Sequence, residues 1–181
     1  MDSDWSTEVL RYWFEELLSE AWFRADPATD GEIRSRFLTR YRHLRDTSLA
    51  TLVSDPHHTL AAIVVLDQFS RNMFRNTPDA FASDPQALAL ATAAVAAGFD
   101  LQLSPAERQF VYMPFQHDED PASQRRSVAL FTALNNEEAL FYARHHKELV
   151  DRFGRFPHRN VILGRPSTAE EVTFLKTAPP M

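Results

Sequence analysis

Three segments of the sequence concentrate residues whose side chains could do acid–base chemistry or bind anions. They are "LDQFSRNMFR" at 66–75, "YMPFQHDED" at 112–120 and "DRFGRFPHRN" at 151–160. Each joins arginines, histidines or carboxylates to apolar and aromatic neighbours. This combination is typical of a polar site inside an apolar frame, or of a buried structural network.

The first segment has helical spacing. Asp67 and Arg71 are four residues apart, as are Gln68 and Asn72, and Arg71 and Arg75. An apolar helix that turns polar on adjacent faces has either entered a polar cavity or left the core. In the second case these side chains form ordinary surface ion pairs.

The second segment places His117 two residues before Glu119. An imidazole beside carboxylates can exchange a proton near neutral pH, bind a metal or pair with arginine. Alternatively, the acidic residues only begin the next helix, where the macrodipole favours negative charge. Asp120, which precedes Pro121, is expected to do this.

The third segment is a sharp bend. Gly154 is expected to end a long helix over 137–153, and Pro157 to start a new short helix. The polar residues around this bend are His146, Arg155, His158, Arg159, Asn160 and Arg165. A helix N-terminus with nearby guanidinium groups suits an anion. In the alternative, the arginines cap helix carbonyls and bridge to Asp67 or Glu119.

The remaining sequence predicts the frame that positions these segments. The 181 residues fit one domain over 1–181, and a net charge of −6 disfavours nucleic acid as a partner. No cysteine, apolar leader or membrane-length apolar run occurs, so a cytoplasmic protein without a membrane partner is expected. No P-loop, GxGxxG or GxSxG motif is present, and no cofactor is predicted.

Helix signals dominate the chain and no alternating strand is found. Asp-Pro pairs at 26, 55, 84 and 120 each predict an N-cap followed by a proline in the first turn. "SPAE" at 104–107 and "STAEE" at 167–171 are capping boxes. The sequence predicts an all-α domain of about eight or nine helices, arranged as antiparallel hairpins of tetratricopeptide-like shape or as an irregular bundle.

Several motifs resemble those of a bacterial family, number 924 among the domains of unknown function. They are "VLRYWF" (9–14), "LDQFSRNMFR" (66–75), "AFASDPQAL" (80–88), "ERQFVYMPFQHDED" (107–120), "FYARHHKELVDRFGRFPHRNVILGR" (141–165) and "STAEEVTFL" (167–175). The chain departs from the family pattern at Asp118, where Ser is usual, and at Ser70, where Pro is usual. The resemblance implies a tetratricopeptide-like helical fold and supplies no activity.

The resemblance also points to polar positions. In this chain they are Asp67, Gln68, Arg71, Asn72, Arg75, His117, Glu119, Gln124, His146, Arg155, His158, Arg159, Asn160 and Arg165. Of these, ten are predicted ligand-binding residues: Asp67, Gln68, Arg71, Asn72, Arg75, His146, Arg155, Arg159, Asn160 and Arg165. The candidates for acid–base catalysis are Glu119, His117 and His158.

Three hypotheses remain open at the level of sequence. In the first, Arg71, Arg155 and Arg159 hold a small anion, which a carboxylate–histidine pair could then transform. In the second, the polar residues are a buried network of an adaptor domain whose partner is a protein or peptide. In the third, a metal is bound; its ligands would be His117, Glu119, His146 and His158. The residues do not identify a reaction or a substrate.

Overall fold

The computed structural model describes residues 5–177, and within this range the protein is all helical with no strand, as predicted. The α-helices are Trp5–Arg11 (α1), Pro27–Arg45 (α2), Leu49–Leu52 (α3), Pro56–Ile63 (α4), Ser70–Met73 (α5), Asp84–Ala96 (α6), Pro105–His117 (α7), Pro121–Leu134 (α8), Glu137–Phe153 (α9) and Ala169–Thr177 (α10). Short 3-10 turns connect several of them.

Most of the predicted helix starts are confirmed. The side chains of Asp26, Asp55 and Asp120 accept hydrogen bonds from backbone N–H groups in the first turns of α2, α4 and α8. Ser104 forms the predicted capping box at α7. The fourth Asp-Pro pair differs: Asp84 is the first residue of α6 rather than its N-cap, and its carboxylate binds an arginine instead.

Two helices contain a wide π-helical turn that the 3.6-residue period did not predict. The first, Tyr12–Glu16, follows α1 directly and ends the helix before Leu17, whose N–H bonds to the Tyr12 carbonyl. Leu18 therefore lies beyond the helix and is 74% exposed. The second, Val64–Phe69, joins α4 to α5 in one continuous helix.

The core is aromatic and lies where α1, α2, α4 and α7 meet. Trp13 packs edge-on against Phe69 and Phe110, with ring centroids 5.4 and 5.6 Å apart, and Phe37 lies 4.8 Å from Phe69. Short loops join α7 to α8 and α8 to α9, so these neighbouring helices pack together. The tetratricopeptide-like arrangement of the whole chain stays a prediction.

A smaller core holds the C-terminal part. Leu149 and Val150 of α9 bury Phe156, with Phe153 and Phe174 at the edge. This fixes the segment after α9 and attaches α10 to the side of α9. Among residues 5–177, no helix has the length and apolar character needed to cross a bilayer.

Candidate functional site

The bend after α9 brings predicted polar residues into contact with other segments of the chain. Gly154 adopts a positive φ of 69°, and its N–H caps the Val150 carbonyl, so the helix ends there. Residues 154–168, here called the exit segment, then run to the start of α10. The polar side chains of this segment take part in two groups of residues with different surroundings.

The first group is a closed set of ion pairs, which we call the strap network: Glu119, Arg155, Asn160, Arg165 and Glu171. Arg155 donates from Nε and Nη2 to the two carboxylate oxygens of Glu171 at 2.7 and 2.8 Å. Asn160 donates to the same carboxylate at 3.2 Å. The carboxylate also accepts from the Thr168 N–H at 2.7 Å, in the predicted second capping box.

The other half of the strap network ties the exit segment to the end of α7. Arg165 donates to both oxygens of Glu119 at 2.7 and 2.9 Å, and the backbone N–H of Phe156 adds a third bond at 2.7 Å. Burial opposes ionisation of Glu119, but these bonds outweigh it and hold its pKa below the usual range. With its oxygens occupied, Glu119 is poorly placed to act as a base.

Two further predicted residues pair elsewhere. Arg75 binds both oxygens of Asp30 at 2.6 and 2.8 Å, and Asn72 donates to Asp30 at 2.8 Å. Asp30 lies in α2, so this contact fixes the end of α5 against α2. Nothing in the sequence pattern marked Asp30 as the partner.

The second group, here called the central cluster, consists of Asp67, Arg71, Asp84, His117, His146, His158 and Arg159. Asp67 lies in the second π-helical turn and is fully buried. Its carboxylate accepts from His117 Nδ1 at 2.8 Å and from Gln68 at 2.5 Å. Arg71 lies 3.4 Å from the same carboxylate and donates to the Asp67 carbonyl at 2.6 Å.

Asp84 joins the two arginines of the central cluster. Arg71 binds its two oxygens at 2.9 and 3.0 Å in a bidentate pair. Arg159 approaches one of these oxygens only to 3.5 Å. Asp84 thus satisfies Arg71 and leaves Arg159 with a single weak contact.

Arg159 is the least satisfied charged residue of the site. It is only 7% exposed, and within residues 5–177 its guanidinium makes no hydrogen bond; the Nε is buried without a partner. The guanidinium lies over the rings of Phe81 and Phe156, with centroids 4.6 and 4.7 Å away. Burial, with the neighbouring charge of Arg71, lowers the pKa of Arg159 to about 10.

Two histidines lie against the Phe156 ring, and a third lies next to one of them. The imidazoles of His146 and His158 lie 5.3 and 5.7 Å from the Phe156 ring, and His117 lies 6.3 Å from His146. Burial lowers the pKa of His146 to about 3 and that of His158 to about 4, and it also lowers the pKa of His117. All three are therefore neutral at physiological pH, and the buried Nδ1 of His158 has no partner among the described residues.

The proposed metal ligands are not brought together as a set. Between residues 5 and 177, no group of three or more histidine or carboxylate side chains converges as metal ligands. His117 is bound to Asp67 and Glu119 to Arg165. The metal hypothesis therefore gains no support from this arrangement.

Two surface pockets lie elsewhere, along α1. One is lined by residues that include Trp5, Arg36 and Arg40, and the other by residues that include His57 and Glu107. Neither contains a residue of the three predicted segments. We place the candidate site at the central cluster because it holds buried polar groups that lack hydrogen-bond partners. Polar groups that line an open surface pocket can bond to water instead.

The sequence missed four residues that complete these groups: Asp30, Phe81, Asp84 and Glu171. Asp84 and Glu171 were each recognised only as helix-start residues, although both are acceptors for arginines. An excess of arginine in the three segments could have prompted a search for such acceptors. Gln124, also suggested by sequence, supports the end of α7 by donating to the Gln116 and Asp118 carbonyls at 2.8 and 2.6 Å.

The fold and the site define a class of all-helical protein in which arginines and histidines from distant segments meet inside the chain. Residues 9–179 match the model of a bacterial protein family of unknown function, DUF924, and the chain belongs to that family. A comparison with curated proteins gives no match.

A solved structure shares the fold. The protein of unknown function ATU0120 from Agrobacterium tumefaciens is 36% identical in sequence, and the match covers 96% of this chain and 98% of that one, with a TM-score of 0.91. The helical architecture is therefore shared with that protein, and no activity is assigned by the comparison.

Proposed function

We propose that the protein binds a small anionic ligand at the central cluster, with Arg159 as the anchoring residue. The observation that supports this is the buried guanidinium of Arg159, which has an unpartnered Nε and a single carboxylate contact at 3.5 Å. A buried charge is costly unless it is paired and hydrogen-bonded. An incoming anion would supply the missing pairing.

The surroundings of Arg159 restrict how an anion can approach. The rings of Phe81 and Phe156 lie against the guanidinium, and Nη1 points towards Asp84. The remaining edge of the guanidinium is the one formed by Nε and Nη2, of which Nε is buried without a partner. This edge presents two parallel N–H groups, which match the two oxygens of a carboxylate or a phosphate.

Arg159 lacks a close negative partner although the central cluster is formally neutral. Asp67 and Asp84 formally balance Arg71 and Arg159, yet their close contacts go to Arg71 and His117. The neutral histidines contribute no charge of either sign. Glu119, the nearest other carboxylate of the predicted set, is already paired with Arg165.

The structural alternative describes the strap network well, because every member there has a close partner. It does not describe Arg159, since a residue that served only to staple the fold would be expected to have its donors satisfied. We therefore assign the anion site to Arg159, since Arg71 is already bound by both oxygens of Asp84. Arg155 stays a predicted ligand residue, but its guanidinium is committed to Glu171.

Calorimetry and thermal shift with simple anions test this proposal. Inorganic phosphate, sulfate and acetate are titrated at constant ionic strength into the wild-type protein, Arg159→Met and Arg155→Met. Arg155 is a matched control, because it is an arginine of the same segment whose donors are already used. A ligand at about 100 times its Kd stabilises the folded state by about 2.7 kcal/mol.

We expect at least one anion to stabilise the wild-type and Arg155→Met proteins, each relative to its own ligand-free baseline, and not Arg159→Met. An equal shift in Arg159→Met would place binding elsewhere. If no anion shifts the wild-type protein, the proposal fails and a structural role for the cluster is favoured.

A further inference from the structure

The contact between Asp67 and His117 fixes which imidazole nitrogen carries the proton. Burial alone would raise the pKa of Asp67, but Arg71 and His117 outweigh it and hold the pKa well below its usual range. An ionised carboxylate can only accept hydrogen bonds, so His117 Nδ1, 2.8 Å away, donates. In the neutral ring the lone pair is then on Nε2, for which no partner is found within residues 5–177.

His146 has the same tautomer for a different reason. Its Nδ1 lies 2.9 Å from the Tyr142 carbonyl, which can only accept, so Nδ1 again carries the proton. The lone pair of His146 is therefore also on Nε2. The two histidine rings are 6.3 Å apart, and the Phe156 ring lies 5.3 Å from His146 and 4.7 Å from the Arg159 guanidinium. Two imidazole acceptors and the donors of Arg159 therefore lie in the same cluster.

We propose that His117, positioned by Asp67, accepts a hydrogen bond from a hydroxyl group of the anion held at Arg159. The ligand class is thus a small hydroxylated anion, either a hydroxy acid or the phosphate ester of a polyol. This inference rests on the anion site proposed above. Asp67 does not touch the ligand and acts only by setting the tautomer of His117.

Matched pairs of probes measure the contribution of the hydroxyl group. Propanoate is compared with lactate, and ethyl phosphate with 2-hydroxyethyl phosphate, by calorimetry at one ionic strength. The first pair tests a carboxylate and the second a phosphate. One net hydrogen bond is worth up to about tenfold in Kd. We expect the hydroxylated member of at least one pair to bind about five- to tenfold tighter.

Two variants assign this preference to residues. In His117→Phe the acceptor is gone. In Asp67→Asn the amide can donate to Nδ1, so the ring proton moves to Nε2 and the acceptor is lost while the imidazole remains. Both variants should lose the preference for the hydroxyl group, measured as the ratio of the two Kd values within each probe pair. A preference that survives in both variants would overturn the inference.

Nitrogen-15 NMR of the histidine rings gives a second readout that needs neither ligand nor variant. We expect His117 in the wild-type protein at pH 7 to be protonated at Nδ1 and unprotonated at Nε2. The opposite tautomer would overturn the inference even if Asp67→Asn failed to fold. Equal binding within both probe pairs would remove this inference alone, whereas no binding of any anion would remove the proposed function as well.

Discussion

Arg155 and Arg159 lie four residues apart in the same bend, yet their surroundings are opposite. Arg155 is partly exposed and has a bidentate carboxylate partner and a backbone carbonyl partner. Arg159 is almost fully buried and has no hydrogen bond from its guanidinium in the described part of the chain. Arg159, whose burial has the larger desolvation cost, thus makes fewer hydrogen bonds than Arg155. Under the proposed function, Arg155 stabilises the fold and Arg159 binds the ligand, which would account for this difference.

The largest effect is expected in the strap network. Glu171→Ala removes the carboxylate that binds Arg155, Asn160 and the Thr168 N–H, and this carboxylate belongs to a residue only 1% exposed. The variant leaves several donors without an acceptor. We expect the free energy of unfolding to fall by about 3 kcal/mol, measured by urea denaturation. A loss below about 1 kcal/mol would show that the network is not a stabilising staple.

Acid should weaken the central cluster before it weakens the strap network. Burial lowers the pKa of His146 from its ordinary value of 6.5 to about 3, so the folded state favours the neutral ring. Stability is complete above pH 6.5 and falls as the pH drops below it, by up to about 1.4 kcal/mol per pH unit for each such histidine. Glu171, whose pKa is lowered to about 2 mainly by its bonds to Arg155, begins to lose its contribution only below about 4.5.

His146→Gln separates the two regions. Glutamine does not titrate. Between pH 6.5 and 5, the free energy of unfolding of the variant should therefore fall by about 2 kcal/mol less than that of the wild-type protein. Below pH 4.5 both proteins should lose stability as the carboxylates of the strap network are protonated. Denaturation curves at half-unit pH intervals measure this. Identical acid profiles would mean that His146 is not held neutral by the fold.

Arg159→Met tests whether Arg159, unlike Arg155, fails to stabilise the ligand-free fold. The variant replaces a buried, poorly paired charge with an apolar chain between two aromatic rings. We expect the ligand-free protein to become more stable by about 1 kcal/mol, because the desolvation cost of the guanidinium disappears. Chemical denaturation without added anions measures this. A destabilisation of several kcal/mol would make Arg159 a structural residue like Arg155.

The sequence predicted the helices better than it predicted their polar contacts. Caps at Asp55, Ser104 and Asp120 follow from local chemistry, which neighbouring residues determine. The pairing of Arg155 with Glu171 and the isolation of Arg159 depend on which distant segments come into contact. Local helical periodicity carries no information about such contacts. The π-helical turn that carries Asp67 was missed because periodicity assumes 3.6 residues per turn.

The smallest loss of stability is expected for Glu170→Ala, at the residue next to Glu171, where the largest loss is expected. Glu170 binds Arg152 at 2.8 Å, and the two side chains are 59% and 54% exposed. The pair connects α10 to α9, next to the contact between Glu171 and Arg155. Since exposed ion pairs are screened and mobile, Glu170→Ala should reduce stability by only about 0.3 kcal/mol. The neighbouring variants Glu170→Ala and Glu171→Ala thus remove the same side chain from the same helix turn. If their losses were equal, burial and the number of hydrogen bonds would not explain the strap network, and the distinction between Arg155 and Arg159 would lose its physical basis.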